Sequence, residues 1–136
     1  MAAIPESLVA EVVSHTSEQM AKDPTYSQLA VGSFVEAHPD VSRYVTANTA
    51  TIGGEGVIHV VFHAEVMAEC FRRHLRRELP PVGFAVLDAV ASDGDATGRF
   101  AKSQPALADY VNSNVDEDPI RQILALIGLA FDRAAG

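Results

Sequence analysis

Strong catalytic and cofactor motifs are missing from this sequence, and so are the features of membrane proteins and disulfide-rich proteins. The single cysteine, Cys70, rules out an intrachain disulfide and suits a reducing compartment. The longest apolar run, residues 123–131, is about half as long as a membrane span. The first residues lack the basic and long apolar stretches of a secretory signal. We therefore expect a cytoplasmic protein that does not enter the membrane.

Basic residues are also scarce, because 10 Lys and Arg stand against 18 Asp and Glu, for a net charge of −8. A chain with this charge repels nucleic acid and anionic lipid unless its basic residues gather on one face. Four arginines do gather. We predict that they either stabilise the C-terminal end of a helix or bind an acidic protein partner, and we do not expect nucleic-acid binding; the four are Arg72, Arg73, Arg76 and Arg77.

The chain is otherwise ordinary in composition, with 136 residues, 48% hydrophobic and 21% charged. That length and composition are typical of one globular domain with its own core. Residues 34–48 and 100–114 resemble each other without a gap, which predicts an internal duplication with halves of about 1–77 and 78–136. The identical pairs are Phe34/Phe100, Pro39/Pro105, Tyr44/Tyr110, Val45/Val111 and Asn48/Asn114.

Apolar residues recur mainly at helical spacing. They predict helices over about 5–22, 26–38 and 119–134, and Pro39 and Pro105 suit the first turns of further helices. We therefore predict a single-domain, all-α bundle of about eight helices. Residues 44–63 are rich in β-branched side chains and glycine, so a β-hairpin is the alternative there. We favour a loop followed by a helix over about 57–77.

The last helix is apolar on two opposite sides, because Leu126 and Leu129 lie nearly opposite its main apolar face. Such a helix is buried on both sides. It is either the central helix of the core or a helix shared with another subunit. We predict a homodimer with Leu126 and Leu129 in its interface.

Several side chains that can bind metals fall within an arc of about 80° on the predicted helix over 57–77. Histidines four residues apart on a helix can hold one transition-metal ion, but this helix is too long for all of them to share an ion. At most His59 pairs with His63, or Cys70 with His74. The alternative is that these side chains only pack in the core. The candidate metal or ligand residues are His59, His63, Cys70 and His74.

No catalytic residue is predicted, because no catalytic motif is present. We expect a non-catalytic helical interaction or regulatory module that is homodimeric and needs no cofactor. The alternative is a small-ligand or metal-binding protein, a sensor or a minor enzyme, that uses the His/Cys face of the helix over 57–77 with a transition metal as its cofactor.

Overall fold

A computed structural model gives the fold and describes residues 3–136. This part of the chain forms eight helices and no strand, which confirms the predicted all-α bundle. Within it, every helix is too short or too polar to cross a membrane. The helices are α1 (Glu6–Lys22), α2 (Tyr26–Ala37), α3 (Pro39–Ala47), α4 (Thr49–Leu75), α5 (Phe84–Ser92), α6 (Ala96–Ser103), α7 (Pro105–Asn114) and α8 (Asp118–Ala135).

The region 44–63 is where the predictions needed correction. The alternative β-hairpin is wrong, because α3 and α4 cover this region. The favoured loop before residue 57 is also wrong, since α4 begins at Thr49. Gly53 interrupts it with a non-helical backbone (φ 76°, ψ 168°), a conformation that glycine adopts at little cost. Packing of α4 against α2 and α8 outweighs the weak helix preference of its valines, whereas its threonines, Thr49 and Thr51, are exposed.

Prolines mark three of the helix starts as the sequence predicted. Pro39 and Pro105 are first residues of α3 and α7, and Pro119 lies in the first turn of α8. Proline fits there because the first N–H groups of a helix have no acceptor within it. Each of these starts makes a short connection, so the chain turns sharply into the next helix.

Helix α8 lies at the centre of the bundle, where it packs against α4, α5, α6 and α7. The ring of Phe131 lies 6.2 Å from that of Phe34 and 6.0 Å from that of Phe71, measured between centroids. Leu126 and Leu129 are half-buried and pack against the same core. Of the two roles predicted for α8, the structure shows the central core helix. The dimer interface at these leucines stays a prediction.

Candidate functional site

An open cleft of about 850 Å³ lies between the end of α1, α2, α4 and the start of α8. Its volume falls within the range of small-molecule sites. Most of its exposed wall is apolar, with a few polar side chains. Apolar and glycine lining residues are Met20, Val31, Ile52, Gly56, Ile58, Phe62 and Ile120, and polar ones are Ser27, Gln28, Glu55, His59, His63 and Glu117.

The wall formed by α4 depends on a glycine. Gly56 is buried, and a Cβ atom added to it would lie 3.0 Å from the Cβ of Ile52 and 3.6 Å from the Cδ1 of Ile120. One turn later, His59 and His63 are four residues apart, so both side chains lie on the same face of the helix. The absence of a side chain at residue 56 lets Ile52 and Ile120 approach each other beside the histidines.

His59, His63 and Tyr110 form a chain of three polar side chains that begins in the cleft and leads into the core. His63 is buried at 6% exposure, and its Nδ1 atom is 2.6 Å from the Oη atom of Tyr110 on α7. Its Nε2 atom is 3.2 Å from the Nε2 atom of His59, which is exposed. Both ring nitrogens of His63 are therefore satisfied, as a buried polar group requires.

The buried part of this polar chain, His63 and Tyr110, is uncharged at neutral pH. Burial, with a smaller contribution from His59, lowers the pKa of His63 to about 4. Burial also raises the pKa of Tyr110, so its hydroxyl stays protonated. The charged residues on the cleft wall are the carboxylates Glu55 and Glu117, and no Lys or Arg is among its described lining residues. The cleft therefore favours neutral or cationic ligands over anions.

No protein-family model, curated protein or solved structure matches this chain. Function is therefore inferred from the geometry alone.

The predicted metal or ligand residues separate into two groups. His59 and His63 meet in the cleft, whereas neither Cys70 nor His74 lines it. Cys70 is fully buried in the core, and burial raises the pKa of its thiol to about 12. His74 is half-buried near the end of α4. Within residues 3–136, no group of three or more His, Cys, Asp and Glu side chains has the geometry to hold a metal ion.

The arginine cluster is largely engaged within the chain. Arg72 contacts Glu65 and lies 2.8 Å from Glu69. Arg73 pairs with the other oxygen of Glu69 at 2.9 Å, the four-residue spacing that the sequence predicts. Arg77 donates a hydrogen bond to the carbonyl oxygen of Ala135 at 3.1 Å, and Arg76 is exposed.

Tyr110 is the site residue that sequence reasoning missed. The sequence identifies it only as the repeat equivalent of Tyr44, and 47 residues separate it from His63. Nothing local predicts that contact, because it depends on how α7 packs beside α4. The one available signal was an aromatic hydroxyl in a mostly apolar helix, since a buried tyrosine hydroxyl usually finds a polar partner.

Proposed function

We propose that this chain is a small-ligand-binding protein whose cleft holds a molecule with an apolar body and a neutral or cationic polar group. The observation that carries this proposal is the hydrogen bond between Tyr110 and His63, a residue that lines an open, mainly apolar cleft. Ligand sites combine apolar walls with a few well-placed polar groups, which fix the orientation of the bound molecule. Here the polar groups belong to the chain of His59, His63 and Tyr110, and the surrounding aliphatic side chains form the apolar wall.

Binding is tested with a matched pair of substitutions on α2. Val31 lines the cleft, whereas Val35, one turn later, is 43% exposed and lies outside it. A panel of apolar amines and neutral amphiphiles is screened by NMR, with the methyl signals of Ile52 and Ile120 as reporters. We expect Val31→Trp to fill the cleft and remove binding, and Val35→Trp to leave it intact. Binding that survives Val31→Trp, or no binding from the panel, overturns the proposal.

We also propose that the fold is an internal duplication, as the sequence predicts. The packing between the halves supports it. In a duplication α1 would correspond to α5 and α3 to α7, so the contact of α1 with α7 is equivalent to the contact of α5 with α3, and both contacts are present. The side-chain amide of Asn48 donates to the carbonyl oxygen of Tyr44 at 2.9 Å, and that of Asn114 donates to Tyr110 at 2.8 Å. When Phe71 of α4 is aligned with Phe131 of α8, His63 corresponds to Ile123, so the paired histidines of the cleft belong to the first half only.

A homodimeric interaction module in the cytoplasm is the second candidate function. Exposed apolar side chains support it, because Leu29 on α2 and Ile58 on α4 are 63% and 61% exposed. Large exposed apolar residues occur at protein interfaces. In this view the acidic partner predicted for the arginine cluster would be bound mainly through exposed Arg76.

Sedimentation of the intact chain over a range of concentrations tests the dimer. Dissociation in Leu126→Gln or Leu129→Gln places the interface on α8, and dissociation only in Leu29→Gln places it on α2. A monomer at every concentration removes this candidate.

A further inference from the structure

We infer that His59 and His63 form a two-ligand site for a divalent transition-metal ion such as Zn²⁺, Ni²⁺ or Cu²⁺, with Tyr110 as the positioning residue behind His63. The site lies in the cleft, so the inference extends the proposed function: the ion would be the polar group that a ligand contacts. Its binding can be measured without knowing that ligand.

The separation of the two nitrogen atoms fits an ion. Imidazole nitrogens lie roughly 2.0–2.1 Å from zinc, so two of them at a tetrahedral angle are about 3.3 Å apart. The Nε2 atoms of His59 and His63 are 3.2 Å apart. Both residues lie on one face of α4 at the four-residue spacing that helical zinc sites use. The ion therefore needs no movement of the backbone.

The contact of His63 with Tyr110 also fits a metal-binding histidine. A histidine that binds a metal usually donates its other ring N–H to an oxygen acceptor, which fixes the ring and its tautomer. The Nδ1 atom of His63 lies 2.6 Å from the Oη atom of Tyr110. When Nδ1 carries the proton and donates it to Tyr110, the Nε2 lone pair is directed toward His59.

Protons balance when the ion binds. In the metal-free protein the 3.2 Å contact is an N–H···N hydrogen bond, because two lone pairs at that distance would repel. The ion replaces the bridging proton. If His59 carries the bridging proton on its Nε2 atom, the His59 ring releases that proton to water and takes up another proton at Nδ1. No net proton is released.

The electrostatics and the number of ligands define the kind of site. Glu55 precedes His59 by four residues on α4 and lines the same cleft as Glu117, so negative charge favours a cation there. Two histidine ligands leave coordination positions for water or for a bound molecule. Open positions distinguish reactive or sensing metal sites from closed structural ones.

The test titrates the intact, metal-free chain with Co²⁺ and follows its visible absorption, then measures Zn²⁺ binding by calorimetry. We expect one ion per chain. His59→Gln changes an exposed side chain and should remove binding while leaving the circular dichroism spectrum unchanged. His15→Gln and His74→Gln are the controls and should keep it. Tyr110→Phe should weaken binding by about 10- to 100-fold without abolishing it, as loss of a group that orients a ligand does.

The other outcomes decide against the metal site or against the proposed ligand cleft. Binding that survives His59→Gln, or that falls equally in His15→Gln, shows that the ion sits elsewhere on the surface. No Co²⁺ or Zn²⁺ binding overturns the inference. If the chain still binds an apolar amine that Val31→Trp blocks, the metal site fails while the proposed ligand cleft stands. If the chain binds the metal ion but no small molecule, the proposed ligand cleft fails while the metal site stands.

Discussion

His38 and Gln104 end α2 and α6 in nearly the same backbone conformation, with φ −133° and ψ 67° for His38 and φ −136° and ψ 70° for Gln104. Each N–H donates to the carbonyl oxygen of the phenylalanine four residues earlier at 2.8 Å. Their side chains differ in what they bind. Gln104 accepts from the backbone N–H of Ile4 and donates to Asp132, whereas the buried Nδ1 of His38 has no hydrogen-bond partner among residues 3–136.

The free energy of unfolding should fall as the pH drops from about 6.5 to 4. Burial, and then the positive charge of Arg72, lowers the pKa of His38 to about 4, while the unfolded chain has the ordinary value of about 6.5. The unfolded state therefore binds the proton first, and stability present above pH 6.5 is lost on acidification. His38 alone should contribute about 3 kcal/mol to this loss.

Urea unfolding at pH 7 and pH 4.5 measures the effect in the natural chain, in His38→Gln and in the control His15→Gln, whose histidine is exposed. The difference between the two pH values should shrink in His38→Gln only, and His63, whose pKa is also lowered to about 4, contributes to the difference that remains. Equal pH dependence in all three chains contradicts the role of His38.

Gln104→Ala should lower the free energy of unfolding by about 1–3 kcal/mol, because it leaves the buried N–H of Ile4 without an acceptor. Gln104 is fully buried, and its Oε1 atom lies 2.8 Å from that N–H. Hydrogen exchange at Ile4 should become faster. Gln122→Ala on the exposed side of α8 is the control, and a similar loss of stability there would show that the contact with Ile4 is unimportant.

Gly128→Ala should destabilise the fold by about 1–3 kcal/mol, the usual cost of adding atoms to a packed core. A Cβ atom on Gly128 would overlap the ring of Phe100. Gly32→Ala is the matched control, because Gly32 is an exposed helical residue with nothing within 4 Å of an added Cβ. That change should stabilise α2 by up to about 1 kcal/mol. Thermal unfolding of both variants measures the contrast, and a neutral Gly128→Ala would mean that α6 moves freely away from α8.

Cys70 should be unreactive toward thiol reagents at pH 8 in the folded chain and reactive after unfolding in urea. Its side chain is fully buried, and burial raises its thiol pKa to about 12, so little reactive thiolate forms. A colorimetric thiol assay with and without urea measures this. Rapid labelling without urea would show that the core around α4 opens readily.

The sequence predicted those helices for which one signal, either apolar residues at helical spacing or a proline at the start, was clear. Apolar residues at helical spacing placed α1, α2 and α8 to within a few residues, and prolines placed the starts of α3 and α7. The start of α4 was missed because its glycines and β-branched residues disfavour a helix locally, and most of the side chains in this first part of the helix are exposed.

The candidate site was predictable only within one helix. Four-residue spacing was enough to pair His59 with His63, since helix geometry alone brings them together. The same geometry also placed Cys70 and His74 near that face, but both lie further along the helix, and the structure buries Cys70 in the core rather than in the cleft. Tyr110 comes from another helix, and the spacing of residues along the chain carries no information about such contacts.

Phe71 and Phe131 meet in the core although sixty residues separate them along the chain. During synthesis, the buried face of α4 therefore leaves the ribosome well before α8, the helix that covers it. Until then, the apolar side chains of α4 lack their main packing partner, and such surfaces invite aggregation or chaperone binding. Stable folding of the bundle has to wait for α8, so translation arrested before α8 would yield a chain that proteases digest readily.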